Sequence, residues 1–455
     1  MFSRVVVFLT LLAARTTFAF PPDAIGAPNE IGDVDSEGSH QHRLLTERTW
    51  LKRQLSDVNI ELSFNSDNAT QDQSETSSTQ SPTLTSTAIP SHAPTLTNQF
   101  LPGELLQTNK RLGIVLSAGL EVKRIASTGK QLKLLDGKRS SLPWHSRMDG
   151  AGVIDLGEKG YVYVSNSEES DGGVHGLYFN LAGDIIDYQV LLKNTRRNCG
   201  GGLTPWNTWI SCEEVKGGQC WQVAADPTHP SYLRAQATLI GESGGRFESV
   251  ATDNRNDKSP VFFVTEDSKD GAMRRFEAKS NGWQSLHTHG DISYLRIIND
   301  RKFEWTKNLN EARESANTYY QNSEGVSFNN GTLFFTAKST QKLFALDLES
   351  MTYEMETTGL NFQGGGSFNA NPDQVINGNK QFLYFSESGG NTPGVYVRDT
   401  QTGRYMTMFE AREGSYLKDE TVGIAFSPDR VRMYAGYQGA GVLFEFTRVD
   451  GFPFP

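Results

Sequence analysis

The sequence predicts an all-β fold, a six-bladed β-propeller preceded by a disordered N-terminal region. Three observations carry this: a strand pattern that repeats about every 50 residues, carboxylates that recur at one end of each repeat, and a first hundred residues without periodicity.

Taken from the N-terminus, Met1-Phe2-Ser3-Arg4 is a short positive lead. An apolar run from Val5 to Leu12 follows, closed by small residues at Thr17-Phe18-Ala19, so residues 1–19 read as a secretory signal peptide. The run is too short to span a bilayer, and no later segment reaches the ~18 apolar residues that a spanning helix needs. Phe20 after the cleavage point is compatible with the alternative of a bipartite plastid presequence. The acids Asp23, Glu30, Asp33, Asp35 and Glu37 argue for secretion instead, because transit peptides avoid acids. Residues 20–102 read as a disordered linker or stalk. Ser, Thr, Gln, Asn and Pro dominate Ser66 to Thr97, and such a chain cannot bury enough apolar area to offset its ordering entropy. Asn68-Ala69-Thr70 and Asn330-Gly331-Thr332 are N-glycosylation sequons, and Lys52-Arg53 is a dibasic pair.

Residues 103–455 are expected to form the propeller domain. Gly325-Val326-Ser327-Phe328, Gln374-Val375-Ile376 and Gly423-Ile424-Ala425-Phe426 start 49 residues apart. The second elements, Leu333-Phe334-Phe335-Thr336, Leu383-Tyr384-Phe385-Ser386 and Met433-Tyr434-Ala435-Gly436, start 50 apart. Third elements follow at Leu343, Gly394 and Gly441. Short β-branched and aromatic runs split by Asn-Gly, Pro-Asp or Gly-rich turns are strand signals. Tyr161–Val164, Thr208–Ser211 and Val261–Val264 extend the series, giving six units between Asp149 and Thr447. Residues 103–148 are left to supply a closing outer strand or a cap.

Net charge is −10 with no basic cluster, which argues against a nucleic-acid partner and for cation binding. Consecutive strands of a blade run antiparallel, so the start of the first and the end of the second share one face. Second strands end in Asn166-Ser167-Glu168-Glu169, Cys212-Glu213-Glu214, Glu266-Asp267 and Glu387. First strands begin beside Glu248, Glu324, Asp373 and Glu420. Acids crowded at one channel mouth repel one another unless cations neutralise them, and oxygen ligands without histidine favour Ca2+ or Mg2+. The chain has three cysteines: Cys199, Cys212 and Cys220. Cys212 abuts Glu213-Glu214, where a thiolate offers a softer ligand suited to iron or zinc. Cys199–Cys220 is then the expected disulfide.

The run Gly201-Gly202-Leu203-Thr204-Pro205-Trp206-Asn207-Thr208-Trp209-Ile210-Ser211-Cys212-Glu213-Glu214 resembles the signature of PhoX-type alkaline phosphatases. Gly245-Arg246-Phe247-Glu248, Thr265-Glu266-Asp267 with Asp270-Gly271, Glu324-Gly325, Asn371-Pro372-Asp373 and Glu387 fall in that family's order. The resemblance covers about Asp149 to Thr447. It implies a propeller with a mixed Fe3+–Ca2+ centre that hydrolyses phosphate monoesters. It places the iron-binding thiol on Cys212, acidic ligands on Glu248, Asp267 and Glu324, and further acids on Glu213 and Glu214, with Asn166 and Glu168 completing the site. Two departures stand out. Asn166-Ser167-Glu168 replaces an Asn-His-Glu, and Asn322 replaces an Arg expected to contact phosphate. Arg246, Arg274 and Lys338 are candidates to replace that Arg, Arg246 foremost.

Three function classes fit. One is a secreted metal-dependent phosphomonoesterase. Another is a non-catalytic, calcium-stabilised extracellular binding propeller. The third is a calcium-dependent ester or lactone hydrolase, which gives no role to the Cys-Glu-Glu run. Eight histidines, several in the linker, argue against a His-based nucleophilic triad.

Overall fold

The computed structural model describes residues 100–455, except 106, 370, 379 and 380. The expected signal peptide and nearly all of the expected linker lie outside the described residues. The packed domain begins a little before residue 103, because Phe100 is buried edge-on against Phe454 and Leu101 bridges Ala118.

Strand pairing resolves into six successive antiparallel groups of four. The first is Met148–Asp155, Tyr161–Ser167, Gly172–Phe179 and Ile185–Thr195. The second is Asn198–Leu203, Trp209–Gly218, Cys220–Val223 and Gln236–Ala237. Gly245–Asp253, Val261–Glu266, Arg274–Ala278 and Gly290–Asn299 make the third, which Lys302–Thr306 extends. Ser323–Asn329, Thr332–Ala337, Lys342–Asp347 and Thr352–Thr357 make the fourth. The fifth is Asn371–Asn377, Phe382–Ser388, Gly394–Asp399 and Tyr405–Ala411. In the sixth, Thr421–Phe426, Arg432–Tyr437 and Val442–Arg448 take their outer strand from the other end of the domain, Leu120–Ser127. That strand is the closing element expected from residues 103–148, and it ties the N-terminal side of the domain to the last group. A closed circle leaves no exposed sheet edge at this seam.

Each group packs on the next through its own hydrophobic cluster. Tyr161, Tyr163 and Phe179 meet Val422, Tyr434 and Leu443 between the first and sixth groups. Ile210 and Cys212 meet Phe247, Val264 and Phe276 between the second and third. The strands alternate aromatic and β-branched residues on both faces, and both faces are buried against neighbours. This accounts for the continuous apolar runs seen in the sequence. The first strands of successive groups touch in order, and Thr421–Phe426 returns to Met148–Asp155, so the inner strands enclose a channel. The architecture is that of a β-propeller.

Among the described residues one α-helix, Leu309–Tyr319, links the third and fourth groups. Asn308 caps it by accepting from Asn310 N and Glu311 N, and Ala312 and Ala316 bury its inner face. No helix among the described residues is long and apolar enough to cross a membrane.

Candidate metal centre

The centre is built by a backbone device used once in every group. Each first strand carries a β-bulge: between Met148 and Ala151, Asn198 and Gly201, Phe247 and Val250, Ser323 and Val326, Pro372 and Val375, and Val422 and Ala425. A bulge re-aims the side chain it carries. The first residues inside these bulges are Asp149, Cys199, Glu248, Glu324, Asp373 and Gly423. Five of the six can ligate a metal, and all five are buried. The close approach of neighbouring bulges leaves no space for side chains behind them: a methyl on Gly200 would overlap the Glu248 carbonyl.

Second strands contribute by alternation. Ser167, Glu213, Glu266 and Ala337 lie opposite the residue that starts the bulge, and the next residue of each, Glu168, Glu214, Asp267 and Lys338, joins the centre. The strand partners themselves face away. Glu213 accepts from Arg196 N at 2.8 Å and Gln219 N at 2.9 Å. Glu266 accepts from Arg246 N at 3.2 Å. Glu387, in the equivalent position of the fifth group, accepts from Asn369 N at 2.8 Å and from the Tyr396 hydroxyl at 2.8 Å. These three acids hold loops rather than facing the other carboxylates.

Three sets of ligating atoms converge, with the atoms of each set within 4.8 Å of one another: Asp149, Glu168 and Glu420; Glu168, Cys199 and Glu214; and Glu248, Glu324 and Asp373. The first and third offer only oxygen, and the second adds a thiol. Cys199 Sγ lies 3.1 Å from Glu248 Oε1 and 3.4 Å from Asp149 Oδ2, so it joins all three sets. Gln438 Nε2 donates to Asp149 Oδ2 at 2.8 Å and to Glu168 Oε2 at 2.9 Å. Beside Gly423, Gln374 bridges the fifth and first groups, donating to Asp149 Oδ1 at 3.1 Å and accepting from Gly423 N at 3.1 Å.

Eight carboxylates (Asp149, Glu168, Glu214, Glu248, Asp267, Glu324, Asp373 and Glu420) therefore face three cations. Arg147 Nη2 pairs with Glu168 Oε2 at 2.6 Å, and Arg197 Nη2 pairs with Glu214 Oε2 at 2.6 Å and also with Glu168. Lys338 Nζ lies 2.6 Å from Glu324 Oε1 and 3.4 Å from Asp267 Oδ2. The Lys338–Glu324 contact is a close ion pair between a buried acid and a partly exposed lysine. The electrostatic deficit is visible in the acids. Burial, then the neighbouring carboxylates, raises Asp149 and Glu248 well above the usual carboxylate range, and burial raises Glu324 likewise although Lys338 opposes it. Asp373 is pushed up to about 8 by burial and by Glu420. Burial and the surrounding acids also hold the Cys199 thiol far above its ordinary value. Bound cations would reverse this order and release protons.

The expected residues separate clearly. Glu168, Glu214, Glu248, Asp267, Glu324 and Asp373 are brought together. Cys212 is not: it is buried in the apolar cluster between the second and third groups, opposite Cys220, and Cys199 is the thiol among the carboxylates. The expected Cys199–Cys220 pairing is excluded by the same placement. Asn166 is near but fully engaged. Its Nδ2 donates to Cys199 O and Gly200 O, each at 2.7 Å, and its Oδ1 accepts from Trp209 Nε1 and Ser211 Oγ, each at 2.9 Å. It positions the Cys199 bulge. Arg246 is exposed, with its backbone carbonyl accepting from Asp267 N at 2.9 Å. Arg274 is buried over the Phe247 ring and donates to Ile240 O, Glu242 O and Gly244 O, which makes it the clamp of a loop. Asn322, in the position of the expected Arg, adopts a φ of 54° and donates to Asp267 Oδ1 at 2.6 Å.

Beyond the bulges the channel opens into a cavity of about 570 Å³ lined largely by apolar residues such as Val153, Val250, Val326 and Ile376. It is the far side of the channel and presents no cluster of ligating groups.

Fold and site together define a β-propeller whose inner strands gather buried carboxylates and one thiol. No protein-family model matches the chain, and no curated protein matches it in sequence. Among solved structures, Pseudomonas fluorescens PhoX in complex with vanadate, a transition state analogue, is similar at a TM-score of 0.60, with 13% identity over 78% of this chain and 98% of that one. The gluconolactonase XC5397 from Xanthomonas campestris aligns at a TM-score of 0.43 with 12% identity, covering 78% of this chain and 98% of that one. At 13% identity the likeness to the PhoX structure establishes the propeller fold alone.

Proposed function

We propose that this propeller is a metal-dependent hydrolase of phosphate monoesters, with Asp149, Glu168, Cys199, Glu214, Glu248, Glu324, Asp373 and Glu420 holding Fe3+ and Ca2+ and Asp267 supporting them. The observation that carries the reading is Cys199 Sγ, set 3.1 and 3.4 Å from two buried carboxylates. A lone thiol among acids suits a transition metal, and the oxygen-only sets suit calcium. The excess of acids over cations fits a site completed by metal ions. The likeness to PhoX, whose structure holds vanadate, is consistent with the phosphate reading.

Bound metal ions would supply Lewis-acid polarisation of phosphoryl oxygens and an activated oxygen nucleophile. The chain's own residues do the rest. Arg147, Arg197 and Lys338 reach the centre from its partly exposed rim. With the carboxylates neutralised by cations, their heads are free to hold an anionic ester and replace the Arg absent at Asn322. Asn166 fixes the bulge that aims Cys199, and Gln374 and Gln438 orient Asp149. A purely calcium-stabilised binding propeller leaves the thiol without a role. Export from the cell is part of the proposal, supported by the sequence of residues 1–19.

Elemental analysis of the purified protein, with p-nitrophenyl phosphate hydrolysis assayed on the same sample, tests the reading. Iron with calcium and hydrolysis at alkaline pH is expected. Calcium without iron, and no hydrolysis, would overturn it.

A further inference from the structure

The phosphatase reading uses one thiol and leaves two. Cys212 and Cys220 sit directly opposite each other on adjacent antiparallel strands, Trp209–Gly218 and Cys220–Val223. Both are fully buried, among Ile210, Ile240, Phe247 and Val264. Their sulfurs are 2.7 Å apart. Directly opposed residues of an antiparallel pair have Cα atoms about 4.5–5.5 Å apart, inside the window that a disulfide spans. Neither sulfur belongs to any set of converging metal-ligating groups among the described residues. The third thiol, Cys199, is committed to the carboxylates, 3.1 Å from Glu248 Oε1 and 3.4 Å from Asp149 Oδ2.

We propose that Cys212 and Cys220 form a structural cystine when the chain folds in an oxidising compartment. The bond forms by exchange with a protein disulfide carrier. One thiolate attacks the carrier's disulfide to give a mixed disulfide, and the second thiolate displaces the carrier. The two cysteines give up two electrons and two protons, and the carrier leaves as a dithiol. The cystine closes the short hairpin that holds Glu213 and Glu214, so it anchors Glu214 at the centre while Glu213 caps Arg196 N and Gln219 N. It also sequesters the only other thiols, which leaves Cys199 unpaired as a ligand. The pairing stands independently of the reaction catalysed.

The test is disulfide mapping of the full-length protein produced through a secretory host, purified without reductant, unfolded in chelator and alkylated with N-ethylmaleimide. Trypsin alone is insufficient, because cleavage after Arg197 and Lys216 leaves Cys199 and Cys212 on one peptide. Chymotryptic cleavage at Trp206 and Trp209 separates them. The expected result is a Cys212–Cys220 link with the maleimide on Cys199 alone. Maleimide on all three cysteines, or a link that includes Cys199, would overturn the proposal.

Discussion

Replacing Asn166 by Ala is the sharpest single perturbation of the architecture around Cys199. The side chain is fully buried and makes four hydrogen bonds, two to the carbonyls of Cys199 and Gly200 and two from Trp209 Nε1 and Ser211 Oγ. In the Ala variant the indole N–H is orphaned in the core and two carbonyls each lose a donor. Ser211 keeps its bond from Asn198 Nδ2 at 2.9 Å and can turn. At about 1–3 kcal/mol for each of the three buried groups left short of a partner, the sum is about 3–9 kcal/mol. That is a large part of the roughly 5–15 kcal/mol that holds a domain folded. Asn166→Asp is expected to do no better. It keeps the acceptor for Trp209 but sets an oxygen against two carbonyls, and it adds a charge beside Cys199. Urea unfolding followed by fluorescence, with bound metal quantified on each variant, reads both consequences: a lower midpoint and a loss of the metal that Cys199 holds. A midpoint shift worth less than about 1 kcal/mol, with metal content unchanged, would show that the bulge needs no support from Asn166.

Stripping the metals should make stability depend on pH in a definite direction. Asp149, Glu248, Glu324 and Asp373 have folded-state values raised by burial, Asp373 to about 8, so the folded chain binds more protons than the unfolded one and loses stability as pH rises toward 8. The melting temperature of chelator-treated protein should therefore fall from pH 6.5 to 8, and calcium should restore more at pH 8 than at 6.5; a flat profile contradicts this. The stacked pair His145–His175, with ring centroids 4.3 Å apart, acts at lower pH. Burial lowers His145 from 6.5 to about 4 and His175 well below its ordinary value, so the neutral rings favour the fold above pH 6.5. For His145 alone, about 3 kcal/mol is lost between pH 6.5 and 4. In His145→Gln the slope of stability across that window should shrink relative to wild type; an identical slope refutes the assignment. Gly423 lies at φ 68°, and a methyl there would overlap the Tyr163 hydroxyl and come within 3.1 Å of Asp149 O. Gly423→Ala should cost at least about 2 kcal/mol from left-handed strain plus steric overlap, read by chemical denaturation. A neutral result would mean that Tyr163 can swing away at no cost.

The propeller was legible because its period is written in whole strands, and a spacing of 49 or 50 residues survives small errors of boundary. The carboxylate end was legible for the same reason: Glu168, Glu214, Glu248, Asp267, Glu324 and Asp373 recur at the same end of the first five groups. What could not be read was which of two adjacent residues faces the channel, because a strand alternates sides at every step. Glu213, Glu266 and Glu387 are each one residue out of phase, and burial makes them backbone caps. The thiol failed at the level of the hairpin. Cys199 and Cys212 lie on paired strands, with Asn198 opposite Glu213. The Cys-Glu-Glu run drew attention to the wrong strand. The signal that marks Cys199 is Cys199-Gly200, which repeats Asp149-Gly150 and Glu324-Gly325: a ligating side chain inside a bulge, then a glycine pressed against the next strand. The three cations were partly hidden too. Arg147 and Arg197 sit in turns with positive φ, at 44° and 45°, where no periodicity flags them.

The account's central claim is that Cys199, with the carboxylates around it, holds a transition metal. X-ray diffraction from crystals of the purified protein, collected above and below the iron absorption edge, tests it most directly. The account predicts an anomalous peak within about 2.5 Å of Cys199 Sγ, flanked by acidic oxygens, and no peak at Cys212. The absence of any anomalous density at Cys199 in protein that contains bound iron would contradict it.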